Sequence, residues 1–346
     1  MAAGSLPNKF PPNRDFPGIF SLLPQSSPST SPVVKTPAAG HPVPVSAMVM
    51  VKKSIKLAAK VPDAMTCEAA FRVLTSQYLN QLAAQHKGTF AGDAASLHAM
   101  RVALTRLRTA IALFSPMVEG DDEVRLAAEL KWLHAHLGIV RDLDVALERL
   151  AKMEQPADAV ERTWRNERDA SQRHLSRALA SPRYRRLIQD LSAWIEHGDW
   201  SRKRSKGAVE RRARAAEPYC SEKLEDWRKK LLKKSHNLKD LNARKRHRVR
   251  LANKRLSYAV EAAAKLVSAG EKPAQRAMLT LLRKAQKSLG QLNDDERRRS
   301  LAAALGTEAG EGGLLLDAKQ KKRLLRKAAK AYDQLAQLEP LKIASG

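Results

Sequence analysis

The sequence has few cysteines, aromatic residues and glycines. Its two cysteines, Cys67 and Cys220, lie far apart in the chain, which excludes a disulfide framework and a four-cysteine zinc site and predicts two reduced thiols. Aromatic residues make up 5% of 346 residues, and glycine contributes only 16. This composition argues against an all-β sandwich and against a nucleotide enzyme with glycine-rich loops. No apolar run approaches the roughly 18 residues that a membrane-spanning helix needs.

Acidic residues are also scarce relative to basic ones. The chain has 36 Asp and Glu against 63 Lys and Arg, a net charge of +27 and a pI of about 10.3. A charge of this size indicates a polyanionic partner. Hydrophobic residues make up 43% of the chain, which is enough for a sizeable core, and the richness in Ala, Leu, Arg, Lys and Glu favours helices.

The first 50 residues differ from the rest. They hold ten of the 17 prolines and only four charged residues, which predicts a disordered tail over 1–50. From about residue 63 to 338 apolar residues recur at spacings of three and four, and no sustained period-two run is present. The pattern predicts an all-α fold, with the first helix capped by Asp63 and breaks at Gly88–Gly92 and at a dent near Gly138.

The helical region contains an internal repeat. The segment from His98 to Arg108 resembles the segment from His247 to Ser257, with HxxR at the start of each. A Leu-Gly segment follows in both copies, Leu137-Gly138…Arg141-Asp142 and Leu289-Gly290…Asn293-Asp294. We therefore predict two similar halves, about 63–197 and 219–338, joined by a basic connector over about 198–218 that reads as a solvated loop or frayed helix.

Each HxxR helix is amphipathic. In the first, Met100, Leu104, Leu107, Ile111 and Phe114 share one face at about 100° per residue, opposite the cationic side chains. The second repeats this arrangement. Neither cationic face contains an acid, so like charges repel, and a bound anion explains this better than an ordinary solvated helix does.

The acids Asp142, Asp144 and Glu148, with their counterparts Asp294, Asp295 and Glu296, are predicted to pair with arginines. Magnesium brought by a phosphate ligand stays open, because it needs only one or two carboxylates. No HExxH, P-loop or nucleophile-elbow motif is present. His134 and His136 are two residues apart, unsuited to one helix face. No metal site, cofactor or catalytic residue is predicted.

The HxxR helix, its repetition and the LG-x-x-RD-x-D segment resemble the CHAD family, the conserved histidine α-helical domain. The resemblance implies an all-helical fold of two pseudo-symmetric four-helix bundle halves. It also implies binding of inorganic polyphosphate in a basic groove between the halves, and association with polyphosphate granules in the cytoplasm. The residues that carry over are His98, Arg101, Arg106, Arg108, Arg141, His247, Arg250, Lys254 and Arg255.

The chain departs from the family pattern at Thr105, Ser257 and Asn293, where a basic residue is expected. It has no ExExK strand of the triphosphate-tunnel type, so hydrolysis is not implied. Further cationic runs are predicted to extend the surface: Arg183, Arg185, Lys322, Arg323 and Arg326. Protonation of His98 and His247 below about pH 6.5 is expected to tighten binding.

Two alternatives remain open. The net charge equally suits a nucleic-acid-binding protein, or one that binds other polyanions, although only Tyr258 is placed for base stacking beside the cations. The second alternative is an enzyme acting on phosphoanhydrides. The absence of a catalytic motif favours a binding protein that is not an enzyme.

Overall fold

The computed structural model describes residues 65–152, 158–266, 273–306 and 315–341, all within one unit that spans Val61–Gly346. The predicted tail lies outside these residues. In the described ranges no strand occurs, and one antiparallel bridge joins Thr66 to Ala215. No helix in this part of the chain is long and apolar enough to cross a membrane.

Nine helices of the described residues precede residue 215. They are α1 Cys67–Ala84, α2 His86–Phe90, α3 Ala94–Leu113, α4 Ser115–Val118, α5 Asp121–Leu150, α6 Asp158–Ala180, α7 Pro182–His197, α8 Asp199–Arg202 and α9 Lys206–Ala213. The remaining part is built from four long helices and a short 3₁₀ turn at Leu238–Asp240. The four helices are α10 Ala216–Ser235, α11 Ala243–Ala264, α12 Pro273–Ala304 and α13 Ala318–Ala336.

Polar caps set several of these helix starts. The carboxylate of Asp93 accepts hydrogen bonds from the first-turn amides of α3, and Asn242 accepts one from the amide of Lys245 in α11. Asp317 and Gln320 form a reciprocal capping box on α13. These contacts satisfy amides that have no partner within the helix.

The structure corrects three local predictions and decides between two alternatives for the connector. Helix α1 starts at Cys67 and is capped by Thr66, while Asp63 lies outside the described residues. The segment Gly88–Gly92, which was predicted to break the helix, is helical as far as Phe90. The chain leaves this helix at Gly92, whose φ of +88° favours glycine. Helix α5 runs through Gly138 without interruption. Of the two predicted alternatives for the connector, a solvated loop or a frayed helix, the structure is helical: it contains α8, α9 and the first turn of α10.

The apolar faces form the core as predicted. Met100, Leu104 and Leu107 on α3 are buried, as is Phe114 directly after it, and Val249, Leu256 and Val260 are buried on α11. Phe71 packs edge-on against Phe114, Trp194 and Trp200. Cys67 and Cys220 are buried free thiols. Burial of one face of each helix leaves its cationic face outside this apolar core.

The fold is all-α, with a first half built mainly on α1, α3, α5, α6 and α7 and a second half on α10 to α13. Helix α3 contacts its repeat counterpart α11, and α5 contacts its counterpart α12. Each of these helices therefore packs against its repeat counterpart across the boundary between the two halves, as a pseudo-two-fold arrangement requires. This brings the two HxxR helices side by side.

Candidate functional site

Four helices, α3, α5, α11 and α12, supply one connected group of polar side chains between the halves. We call this group the basic trough. Its members are His98, Arg101, His134, Arg141, Asp142, His247, Arg250, Lys254, Asn293, Asp294 and Arg297.

Arg101 lies at the centre of the trough. Its guanidinium packs against the α5 backbone, where a Cβ added to Gly138 would lie 3.0 Å from Nη1. The buried Nη1 has no hydrogen-bond partner among the described residues. Burial lowers the pKa of Arg101, and the nearby carboxylate of Asp142 opposes that shift. The site therefore presents a desolvated guanidinium donor.

Arg250 is the counterpart of Arg101 in the second half and has the same environment. Its Nε is buried without a hydrogen-bond partner in the described ranges. Burial lowers its pKa, and Asp294 and Asp142 act in the opposite direction. Arg101 and Arg250 lie close enough to repel each other. Each arginine thus faces the aspartate that follows the Leu-Gly pair of its own half.

An ion pair joins the two halves within the trough. Arg297 on α12 donates to the carboxylate of Asp142 on α5, and these residues are 155 positions apart. This confirms the prediction that Asp142 pairs with an arginine. Burial nevertheless raises the pKa of Asp142, because the lost hydration favours the neutral acid.

The histidines of the trough are neutral near pH 7. Burial lowers the pKa of His98, with help from Arg141 and Lys254, and burial also lowers the pKa of His247. The Nδ1 of His247 lies 2.6 Å from Asn293 Oδ1. The pKa of His134 falls to about 3 because it is buried beside Arg101 and other cations. The free protein therefore protonates His98 and His247 below the predicted pH 6.5.

Lys254 is in an environment that is unfavourable for its charge. Burial, together with Arg250 and Arg101, lowers its pKa to about 8. Its ammonium lies 5.6 Å from the ring centroid of Tyr258. Because nearby cations destabilise the charged form of Lys254, an anion bound beside it stabilises that charged form strongly.

The trough carries an excess of positive charge. Its cations Arg101, Arg141, Arg250, Lys254 and Arg297 face the carboxylates Asp142, Asp294 and Glu148. Glu148 is more than half exposed and pairs with Arg141 at 2.8 Å. The acids thus offset part of the repulsion without neutralising the site.

Three predicted arginines flank the trough. Arg106 pairs with Glu261 at 3.1 Å and lies over the ring of Tyr258. Arg255 lies 4.1 Å from the ring centroid of Trp227, and repulsion from Arg108 lowers its pKa in addition to burial. The aromatic rings of Tyr258 and Trp227 therefore each have a cationic side chain near the ring.

The structure does not bring the other predicted cations into the trough. Arg183 on α7 pairs with Glu129 at 2.7 Å and lies over Trp132, and Arg185 is exposed on the same helix. Lys322 and Arg326 are exposed on α13, and no interaction within the described ranges links them to the trough. Arg323 lines two clefts beside α13.

Sequence reasoning did not include five trough residues among the site residues: His134, Asp142, Asn293, Asp294 and Arg297. One signal was available, because His134, Gly138 and Arg141 are spaced i, i+4 and i+7 on α5 and share a face. The same signal was available for Arg297, because Gly290, Asp294 and Arg297 are spaced i, i+4 and i+7 on α12. No group of three or more metal-binding side chains occurs in the ranges that the structure describes.

The fold and the trough define a helical protein of the CHAD type, with two similar helical halves and a basic surface between them. The CHAD domain family matches residues 74–303, about two thirds of the sequence. The chain belongs to the CHAD family.

Two solved structures are similar to this chain. The CHAD domain from the plant Ricinus communis is 25% identical over 82% of this chain and 96% of that chain, with a TM-score of 0.65. PptA from Streptomyces chartreusis is 16% identical over 79% of this chain and 100% of that chain, with a TM-score of 0.55, and is similar in fold alone. No curated protein matches this chain.

Proposed function

We propose that this protein binds inorganic polyphosphate in the basic trough. The observation that carries the proposal is a set of three buried donors without hydrogen-bond partners in the described part of the chain: Arg101 Nη1, Arg250 Nε and Asn293 Nδ2. They belong to both halves and sit among unbalanced cations. An unpaired buried donor is costly, and a phosphate oxygen satisfies it while also supplying negative charge.

The chemistry of polyphosphate suits this arrangement. The polymer carries about one negative charge per phosphate and has no bases to recognise. Guanidinium groups bind phosphate oxygens through two donors, and Lys254 adds a compact point charge. Cations from the neighbouring helices α3 and α11 are expected to contact successive phosphates. Affinity then comes largely from release of counterions and falls steeply with salt.

Nucleic acid is the weaker candidate. Base stacking needs an open aromatic face beside the cations. Tyr258 has Arg106 and Lys254 against its ring, and Trp227 has Arg255. Because cations already contact these rings, the site favours an anionic ligand that has no bases to stack.

The test is a titration of the full chain with long-chain polyphosphate at two salt concentrations. The variant with Arg101→Glu and Arg250→Glu is expected to lose binding and to keep its helical circular dichroism. A matched variant, Arg202→Glu with Arg204→Glu, changes the same charge at exposed positions outside the trough and is expected to bind normally. Wild-type affinity in the trough variant would contradict the proposal. Competition with single-stranded RNA at equal ionic strength separates the two ligand classes.

We further propose that binding proceeds without catalysis, and that the protein collects at polyphosphate granules in the cytoplasm. Orthophosphate release from polyphosphate with magnesium, lost on Asp142→Ala, would contradict the first statement. A fluorescent fusion tests the second, because the Arg101→Glu, Arg250→Glu variant is expected to leave the granules.

A further inference from the structure

A second basic surface lies outside the trough, between α12 and α13. It is an open cleft of about 600 Å³. Five exposed cations line it, and no acid does: Lys284, Lys287, Arg323, Lys327 and Lys330. None of the five forms an ion pair with any residue in the described ranges.

The cations stand in two rows. Lys284, Lys287 and Gln291 follow the i, i+3, i+7 spacing of one α12 face, and Arg323, Lys327 and Lys330 follow i, i+4, i+7 on α13. At a helical rise of about 1.5 Å per residue, the α13 wall from Arg323 to Gln334 is roughly 16 Å long. Two parallel rows of this kind fit an extended anionic polymer better than a single small anion.

Buried side chains form the floor of the cleft. Ser288 on α12 and Leu324 and Ala331 on α13 are buried and line it between the cations, where α12 packs against α13. Small and branched side chains let the helices pack closely while the long cationic side chains project from the rims.

A smaller cleft of about 430 Å³ connects this surface to the trough. Gln291, Arg323 and Leu324 line both clefts. At its other end the smaller cleft is lined by Glu148 and Asp294, which contact trough cations. Its remaining charged lining is cationic: Arg149, Lys152, Arg298 and Arg323.

The two acids do not close this path. Glu148 is paired with Arg141 of the trough, and Asp294 is attracted to Arg250, Lys254 and Arg298. The two carboxylates are therefore offset by neighbouring cations, and the net charge along the surface from the trough to α13 stays positive.

We propose that the α12–α13 cleft is an extension site for polyphosphate, which binds the part of a long chain that leaves the trough past Arg323. This inference rests on the proposed function, since it takes the trough as the first binding site. It makes affinity depend on chain length: a short chain fills the trough alone, and a long chain contacts both surfaces, which raises its affinity by an intramolecular second contact.

The test uses the full chain and polyphosphate fractions of graded, defined length. The variant Lys287→Glu with Lys327→Glu reverses one charge in each row. It is expected to bind short fractions like wild type and to lose at least about tenfold in affinity for long fractions at low salt. Its control, Lys230→Glu with Lys234→Glu, has the same charge change at exposed positions on α10 that line neither cleft and is expected to keep the wild-type length dependence.

The outcomes separate this inference from the proposed function. Unchanged long-chain affinity in the cleft variant, with loss of binding in the Arg101→Glu, Arg250→Glu variant, overturns the extension site and leaves the trough. An equal loss for short and long fractions also overturns it. Binding that survives the trough variant but not the cleft variant overturns both. Loss of single-stranded RNA affinity alone in the cleft variant assigns the cleft to another ligand and overturns the inference.

Discussion

The guanidinium of Arg101 on α3 rests against the backbone of Gly138 on α5, so that a Cβ at Gly138 would lie 3.0 Å from Nη1. The Leu-Gly pair of the repeat therefore has a structural role in the first half, where it admits a buried arginine beside the helix axis. In the second half a Cβ at Gly290 meets no atom within 4 Å. The two glycines thus occupy equivalent positions in the repeat, but only Gly138 lies against another side chain.

This difference gives the first prediction. Gly138→Ala moves the Arg101 guanidinium by a few tenths of an ångström and is expected to lower polyphosphate affinity roughly fivefold, the equivalent of about 1 kcal/mol for one weakened hydrogen bond. Gly290→Ala is the control. It removes a helix-interior glycine, so it is expected to raise stability by about 0.5–1 kcal/mol at unchanged affinity. Titration and urea unfolding measure both, and equal affinity in the two variants would contradict the role of Gly138.

Glu148 gives the second prediction. Its carboxylate pairs with Arg141 and is 55% exposed. Glu148→Gln frees Arg141 for phosphate and removes a negative charge beside His98, so affinity is expected to rise roughly threefold, while stability changes by less than about 0.5 kcal/mol, as for an exposed ion pair. Glu161→Gln removes the partner of Arg165 on α6 and serves as control. Weaker binding by Glu148→Gln would show that the pair orients Arg141 instead of competing for it.

The third prediction concerns pH. Lys254 has a pKa of about 8 in the free protein, and a bound polyanion raises that pKa. The complex then holds more protons than the free protein above about pH 8, so affinity is expected to fall as the pH rises from about 7.5 to 10. Lys254→Arg keeps its charge throughout this range and is expected to bind with a flatter pH profile. An identical fall in both proteins would place the titrating group elsewhere.

The same lysine gives a prediction about the stability of the free protein. The pKa of Lys254 is 10.5 in the unfolded chain and about 8 in the folded protein. Below about pH 8 the cost of burying the charged ammonium is fully present, and it decreases to zero as the pH rises to about 10.5. Lys254→Met is therefore expected to be more stable than wild type at pH 7, by about 2 kcal/mol after allowance for partial exposure. Urea unfolding at pH 7 and pH 10 should show this gap shrinking as the pH rises.

The amino-acid sequence by itself determined the helical fold class, where several helices begin and the sign of the surface charge. Periodicity and caps such as Asp93 and Asn242 fix where α3 and α11 begin, because these signals act within one or two turns. The buried faces of both HxxR helices followed from the same spacing. The repeat and its motifs also identified the family, since they are read directly along the chain.

Only the tertiary structure decided which charged residues meet. Arg297 pairs with Asp142 across 155 positions, while Arg183 pairs with Glu129 and stays outside the trough. Neither contact has a sequence signature, because each depends on how α5 packs against α12 or α7. The pKa of Lys254 likewise depends on burial between the halves. Short-range spacing places a side chain on a helix face, and the packing of helices far apart in the chain determines the neighbours of that face.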